Sequence, residues 1–139
     1  MSIDLHTLVP HAGDMCLLER ILSSTDTEIT CATFSHRAAA NPLRHDGRLA
    51  ALHLAEYGAQ TMALHGGLQS AGEAARGGML VAIRALRLHV ERIDDIEPEL
   101  LVHAVKLMAN AEGRIYSFSA RAGGRELAAG RVSVMFARS

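Results

Sequence analysis

RLAALHLAEYGAQTMALHGGL, Arg48–Leu68, is the stretch whose reading decides the fold. It contains no proline and is rich in Ala, Leu, Met, Gln and Glu, all good helix formers. It predicts one helix of about 18–20 residues, roughly 27–30 Å long. Asn41, Pro42, Asp46 and Gly47 precede it as loop and start signals, and Gly66 and Gly67 mark its expected end. At about 100° per residue, Leu49, His53, Glu56, Tyr57, Gln60 and Leu64 fall on one stripe. Leu54, Ala55, Gly58, Ala59 and Met62 fall on the other side, a small apolar set suited to close packing on a sheet. The first stripe is apolar at both ends with an imidazole, a carboxylate and an amide between. After Arg48 it has no Lys or Arg, which is poor for a solvated face. A carboxylate in such a setting needs a partner, a hydrogen bond or a proton. Glu56 is therefore the first candidate functional residue, the alternative being a paired structural carboxylate.

Outward from the helix the chain reads mostly as strand. Before it come a short opening segment at residues 3–10, a turn from Pro10 to Asp14 and an amphipathic piece from Met15 to Leu22, strand or short helix. Glu28–Ser35 alternates and contains β-branched residues, so it predicts a strand. After the helix, Gln69–Gly78 is a Gly- and Ala-rich connection. Four strands are expected next, as a meander: Met79–Val90, Glu99–Met108, Arg114–Ala122 and Glu126–Ala137. In the first of these, Leu80, Ala82, Leu86, Leu88 and Val90 share one parity, and Ile83, Ala85, Arg87 and His89 the other. Gly123-Gly124 predicts a tight hairpin between the last two. The expected fold class is α+β, one long central helix wrapped by an antiparallel sheet of about five to six strands.

At 139 residues the chain has room for one core and not two, so residues 1–139 are expected to form a single domain. A net charge of −1 argues against a nucleic-acid partner. No run approaches 18 apolar residues, so no membrane span is expected, and the N-terminus lacks the pattern of a secretory signal. The cytoplasm is the default compartment. Cys16 and Cys31 have no metal-ligand spacing and are expected as buried free thiols. The eight histidines contain no HExxH and no Cys-His cluster, so no metal is expected.

Two motifs carry a resemblance to a known family. LVPHAGDMCLLERIL resembles the Pro-His-x-x-x-Met/Phe-Leu-Leu-x-Asp/Glu-Arg opening of the hotdog-fold 3-hydroxyacyl-(acyl carrier protein) dehydratases, and Glu56-Tyr57-Gly58-Ala59-Gln60 resembles their Glu-x-x-Ala-Gln. The stretch DGRLAALHLAEYGAQTMALHGG is closer still to the dehydratase-like proteins of aryl-polyene-type gene clusters. The similarity runs over roughly residues 6 to 136. It implies a hotdog fold, pairing as a homodimer or as a heterodimer with another hotdog subunit. It also implies a substrate carried on the phosphopantetheine of acyl carrier protein or coenzyme A, with no further cofactor. The implied reaction, in fatty-acid or polyene-like lipid biosynthesis, removes water from a 3-hydroxyacyl thioester to give a trans-2-enoyl thioester.

That chemistry explains the residue types. The C2 proton is weakly acidic even beside a thioester, so a base of near-neutral pKa is needed, and His serves. Hydroxide is a poor leaving group, so an acid must protonate it, and a Glu with a raised pKa serves. Glu56 carries over by motif as the acid. His45 corresponds to the family's loop histidine by position only, because the two prolines of the His-Phe-Pro-Gly-x-Pro loop are absent from Arg44-His45-Asp46-Gly47-Arg48. Glu56 and His45 are thus the catalytic candidates. His53, Gln60, Tyr57 and His11 are the substrate-binding candidates: Tyr57, with Leu49 and Leu64, as lining of a tunnel, and His53, Gln60 and His11 each with a structural alternative, packing against Glu56 or the loop, holding the loop or the partner helix, and fixing a turn or an interface. Arg84, Arg87, Arg92, Arg114, Arg121 and Arg125 are candidates for a basic patch toward an acidic carrier, against the alternative of scattered solubility charges. Two other readings compete: a non-catalytic hotdog partner of an active dehydratase, and an acyl thioesterase, for which Glu56 alone would suffice.

Overall fold

The computed structural model describes residues 16–70 and 79–136. One helix, α1 (Leu54–Ser70), lies on a six-stranded sheet. The strands are β1 (Arg20–Ser24), β2 (Glu28–Thr33), β3 (Met79–Leu88), β4 (Leu100–Ala109), β5 (Gly113–Ala122) and β6 (Arg125–Phe136). Every strand pair is antiparallel, and the spatial order is β1-β2-β4-β5-β6-β3. This is the expected α+β architecture, with α1 packed over β2, β4, β5 and β6.

Three details differ from the sequence reading. The piece around Met15–Leu22 contributes a strand, one of the two forms expected of it, but β1 runs beyond it through Ser23 and Ser24. The α-helix begins at Leu54, not Arg48. Ala51–His53 is a single 3-10 turn, and Arg48 and Ala50 instead form β-bridges with His45 and Arg92. Gly66 and Gly67 lie inside α1. At Gly66 the end of the flexible Arg114 side chain lies where a Cβ would stand.

The four C-terminal strands are not a simple meander either. β4, β5 and β6 follow one another, but β3 sits at the far edge, paired with β6. The cause is the segment between β3 and β4, which pairs with the chain ahead of the helix rather than turning tightly. Ala51 N–H donates to Glu91 O and Ile93 N–H to Leu49 O, both at 2.9 Å. The Asp94 carboxylate accepts from Leu49 N–H at 2.9 Å and from the Arg92 guanidinium, which holds its carboxyl well below the usual carboxylate range.

The core lies between α1 and the concave sheet face. Tyr116, Phe118 and Ala120 of β5 point into it, as the alternation of RIYSFSARA requires. Gly58 allows the helix to sit on Phe118: a Cβ at Gly58 would stand 2.6 Å from Phe118 Cγ. At its cross-strand partner Gly130 of β6, a Cβ would stand 3.1 Å from Phe118 Cε1. Gly123-Gly124 forms the expected hairpin, both residues with positive φ.

β3 departs from strict alternation at a bulge between Arg84 and Arg87, where Ala85 has φ +52°. A non-glycine residue in that region costs about 1–2 kcal/mol, and glycine's greater chain entropy returns about half of it. Ala85→Gly is therefore expected to stabilise the chain by about 0.5–1 kcal/mol, read as an upward shift of the thermal midpoint. A downward shift would show that the Ala85 methyl is needed for packing.

Candidate active site

The loop ahead of the helix is built from its own polar residues. Asn41 is buried. Its side-chain carbonyl accepts from Leu43 N–H at 2.9 Å, and its amide donates to Ser35 O at 2.9 Å and to the Tyr57 hydroxyl at 3.2 Å. Ser35 Oγ lies 2.8 Å from the same hydroxyl. Tyr57 is fully buried, its phenol spans Ser35 and Asn41, and burial pushes its pKa up. It is thus the post to which the loop is tied. Arg44 donates to Gly47 O at 2.9 Å and to His36 O at 3.3 Å, gathering the loop's second half.

Beyond Arg44 the chain makes a two-residue turn on Asp46 and Gly47, with φ of 51° and 73°. His45 and Arg48 close it with two backbone hydrogen bonds of 2.8 and 2.9 Å. His45 is carried out on this hairpin, its side chain 93% exposed and 3.4 Å from the Asp46 carboxylate. His53, half-buried on the 3-10 turn, faces the same open groove of about 620 Å³, which Leu43, Arg48, Glu91 and Arg92 also line.

Glu56 stands one turn further on, half-buried in the first turn of α1. It is not among the described residues lining that groove. Gln60, one turn along, is 2% exposed and donates from Nε2 to Glu56 Oε1 at 3.4 Å, while its Oε1 accepts from Leu17 N–H at 2.9 Å. Gln60 thereby ties Glu56 to the segment leading into β1. Glu56 shares its side of α1 with Ala55, Ala59, Ala63 and Gly67, all half-exposed, whereas Tyr57 and Leu64 turn fully inward. The stripe read from the sequence thus splits: its apolar members are core, and Ala55 and Ala59 lie on the open side with Glu56.

The structure therefore brings His45 and His53 to one groove and Glu56 to Gln60. His11 lies outside the described residues. Cys31 is fully buried beside Thr61, and burial pushes its thiol up to about 12, so it is inert as a nucleophile. Cys16 is half-buried, and its thiol donates to Leu18 O at 3.7 Å. Among the described residues no cluster of His, Cys, Asp or Glu is arranged to hold a metal ion, and no helix is long and apolar enough to cross a membrane. Sequence reading missed the Tyr57–Ser35–Asn41 knot. Asn41 was legible only as a loop residue, and its buried neighbour Tyr57 lies 16 positions away.

The model of one protein family, described as ApeP-like (ApeP dehydratase), matches residues 3–138. The chain belongs to the ApeP-like dehydratase family. The resemblance read from the opening and helix motifs is thereby met, and solved structures agree on the hotdog fold of this ApeP-like chain. The dehydratase heterocomplex ApeI:P from Xenorhabdus doucetiae matches with a TM-score of 0.84 at 19% identity, over 100% of this chain and 94% of that one. AziG of S. sahachiroi matches at 0.55 and 15% identity, over 86% and 91%. A hypothetical thioesterase from Streptococcus pneumoniae TIGR4, solved with coenzyme A, matches at 0.60 and 12% identity, over 86% and 88%. At these identities the similarity speaks for the fold alone. No curated protein matches the chain significantly.

Proposed function

We propose that this ApeP-like chain is a 3-hydroxyacyl-thioester dehydratase, acting on an acyl group carried by the phosphopantetheine arm of acyl carrier protein or coenzyme A. The observation that carries the proposal is Glu56. It is a half-buried carboxylate on the open side of α1, oriented by a buried amide, in a chain of a dehydratase family. In the reaction a base takes the C2 proton and that electron pair becomes the C2–C3 double bond. The C3–O bond breaks, and Glu56 gives its proton to the departing hydroxyl, which leaves as water. Gln60 holds the Glu56 carboxyl in position and does not exchange protons. His45 is the base proposed within the chain, His53 and His11 are proposed to shape the acyl and pantetheine path, and the buried Tyr57 serves the site only by holding its loop.

A second reading has a specific observation in its favour. The His45 side chain is 93% exposed on a hairpin whose neighbour is a carboxylate, so it is not buried beside the reacting carbon as a base should be. In that reading this chain supplies Glu56 and a second hotdog subunit supplies the histidine. The similarity to a structure described as a dehydratase heterocomplex supports it. A thioesterase is the third reading, since Glu56 alone would suffice to direct water at the thioester carbonyl.

The test is hydration of a short trans-2-enoyl thioester, on carrier protein and on coenzyme A, followed by loss of enoyl absorbance. It is run on the chain alone and with a second hotdog chain from the same organism. Activity of the chain alone, reduced about 10²–10⁴-fold by His45→Ala, supports His45 as base. Activity that needs the second chain and survives His45→Ala supports the divided site. Thioester hydrolysis without hydration contradicts the dehydratase assignment.

A further inference from the structure

The knot that ties the loop to Tyr57 continues, one hydrogen bond after another, as far as Glu56. Thr33 closes β2 and is fully buried, and Ser35, half-buried, opens the single 3-10 turn that follows. Both hydroxyls donate to one carbonyl, Leu17 O, at 2.7 and 2.6 Å. With that proton committed, Ser35 Oγ receives the Tyr57 hydroxyl at 2.8 Å, and the Tyr57 oxygen in turn accepts from Asn41. The other backbone group of Leu17, its N–H, donates to Gln60 Oε1 at 2.9 Å. Leu17 is 1% exposed, so it is held by its side chain, its N–H and its C=O together.

This decides which way the Gln60 amide points. Reversed, its NH2 would stand against the Leu17 N–H, two donors face to face inside the fold. Gln60 therefore presents Nε2 to Glu56, 3.4 Å from Oε1. An N–H aimed at one oxygen of a carboxyl makes that oxygen the carbonyl oxygen, because the hydroxyl oxygen of a carboxylic acid is the poorer acceptor. A proton on Glu56 then sits on Oε2.

We propose that Ser35 is a positioning residue for Glu56: through Leu17 it holds the Gln60 amide in one orientation, and that amide directs the transferable proton to Oε2. Thr33 anchors Leu17 O to the sheet, whereas Ser35 joins the same carbonyl to the loop that carries His45. In the dehydration the Oε2–H bond breaks as the C3–O bond does, the proton leaves with the hydroxyl as water, and Oε1 keeps its contact to Gln60 throughout. An acid turned away from its leaving group costs turnover and not substrate binding. The relay acts in catalysis only if Glu56 is the acid of the proposed reaction, but it also has a readout that needs no activity.

That readout is hydrogen exchange at the Leu17 amide, followed by NMR on the isotope-labelled chain. It is set beside kcat and KM for the trans-2-enoyl thioester under conditions in which wild type is active. Ser35→Ala should speed Leu17 exchange about three- to tenfold, and lower kcat about 10–100-fold with KM within about twofold. Ser35→Thr keeps the hydroxyl and should restore both. Gln60→Leu should speed the same exchange, and adding Ser35→Ala to it should lower kcat by less than about twofold more, because the route is already cut. Tyr57→Phe leaves the Ser35–Leu17 bond in place and should keep the protection of Leu17. A loss there as large as in Ser35→Ala assigns the effect to the loop and overturns the relay. Unchanged exchange in Ser35→Ala overturns it too, as do kcat losses of Ser35→Ala and Gln60→Leu that multiply. Circular dichroism verifies folding. If Ser35→Ala does not fold, Ser35→Cys, a weaker donor, should shift both readouts in the same direction, and no shift in either overturns the relay. A chain without dehydratase activity whose Leu17 protection depends on Ser35 and Gln60 keeps the relay and removes only the acid role of Glu56.

Discussion

Gly58→Val will destabilise the chain by about 3 kcal/mol or more, enough to leave a small domain largely unfolded at moderate temperature. The ring of Phe118 occupies the space that any side chain at Gly58 would need, with three ring atoms at 2.6, 2.7 and 2.9 Å from the position of a Cβ. Gly130, the cross-strand partner of Phe118 on β6, also lies close to the ring, since a Cβ there would stand 3.1 Å from Cε1. Overpacking a closed core typically costs about 1–3 kcal/mol for small insertions, and valine adds two methyl groups beyond the Cβ. Alanine at the same position gains about 1 kcal/mol of helix propensity against the clash, so Gly58→Ala should lose less. Shrinking the ring tests the cause directly. Phe118→Leu alone destabilises by leaving a cavity, but combined with Gly58→Ala it should lose less than the sum, with a coupling of about 0.5–3 kcal/mol. A Gly58→Val chain melting within about 2 °C of wild type would contradict the slot.

Acid will weaken the fold from about pH 6.5 downward, before any carboxylate protonates to a large extent. The cause is two histidines buried in neutral form. His65 Nε2 donates to Thr25 O at 2.8 Å, so its Nδ1 carries no proton and accepts from the Tyr116 hydroxyl. His36 Nε2 donates to Ile96 O at 2.7 Å. Both rings are fully buried, and burial is the first cause holding each below the ordinary value of 6.5. For His65 the charges of Lys106 and Arg114 push the same way, while Thr25 O and Asp26 oppose. For His36, Arg37 adds to burial, while backbone carbonyls and Glu19 oppose. The unfolded chain binds protons at these histidines as pH falls through 6.5 and the folded chain does not. Their contribution is therefore complete above that pH, declines below it and levels off beneath the folded-state pKa values. Each histidine adds a slope of up to about 1.4 kcal/mol per pH unit. Urea midpoints measured from pH 7.5 to 5 should fall more steeply for wild type than for His65→Gln, although the variant is weaker at neutral pH. Equal slopes would show that His65 takes up its proton in the folded state.

Both of these features depend on contacts that local reading cannot supply. His65 meets Tyr116 across 51 positions and His36 meets Ile96 across 60. Each looked like one histidine among eight. The helix, β2, β4, β5, β6 and the Gly123-Gly124 hairpin were legible because periodicity and turn residues are local signals. The exit of β3 to the far edge was not, since it follows from the pairing of Glu91 and Ile93 with the chain before the helix. Gly66 and Gly67 misled because glycine is only a weak helix breaker, and α1 runs through both. At the site, Glu56 and Gln60 were legible from one helical turn of spacing, and the structure joins them. The base was not legible, because the Asp46-Gly47 turn decides where His45 goes and no sequence rule says what stands across from it.

The central claim is that the Glu56 carboxyl delivers the proton that makes water the leaving group. The measurement that tests it most directly is turnover of a trans-2-enoyl thioester by Glu56→Gln beside wild type, each under the conditions in which wild type is active and each with its thermal midpoint recorded. The glutamine keeps the shape and the Gln60 contact but cannot pass on a proton. Turnover reduced about 10²–10⁴-fold with an unchanged midpoint is the predicted result. A variant that turns over within about threefold of wild type would contradict the account and leave Glu56 as a structural carboxylate of the helix.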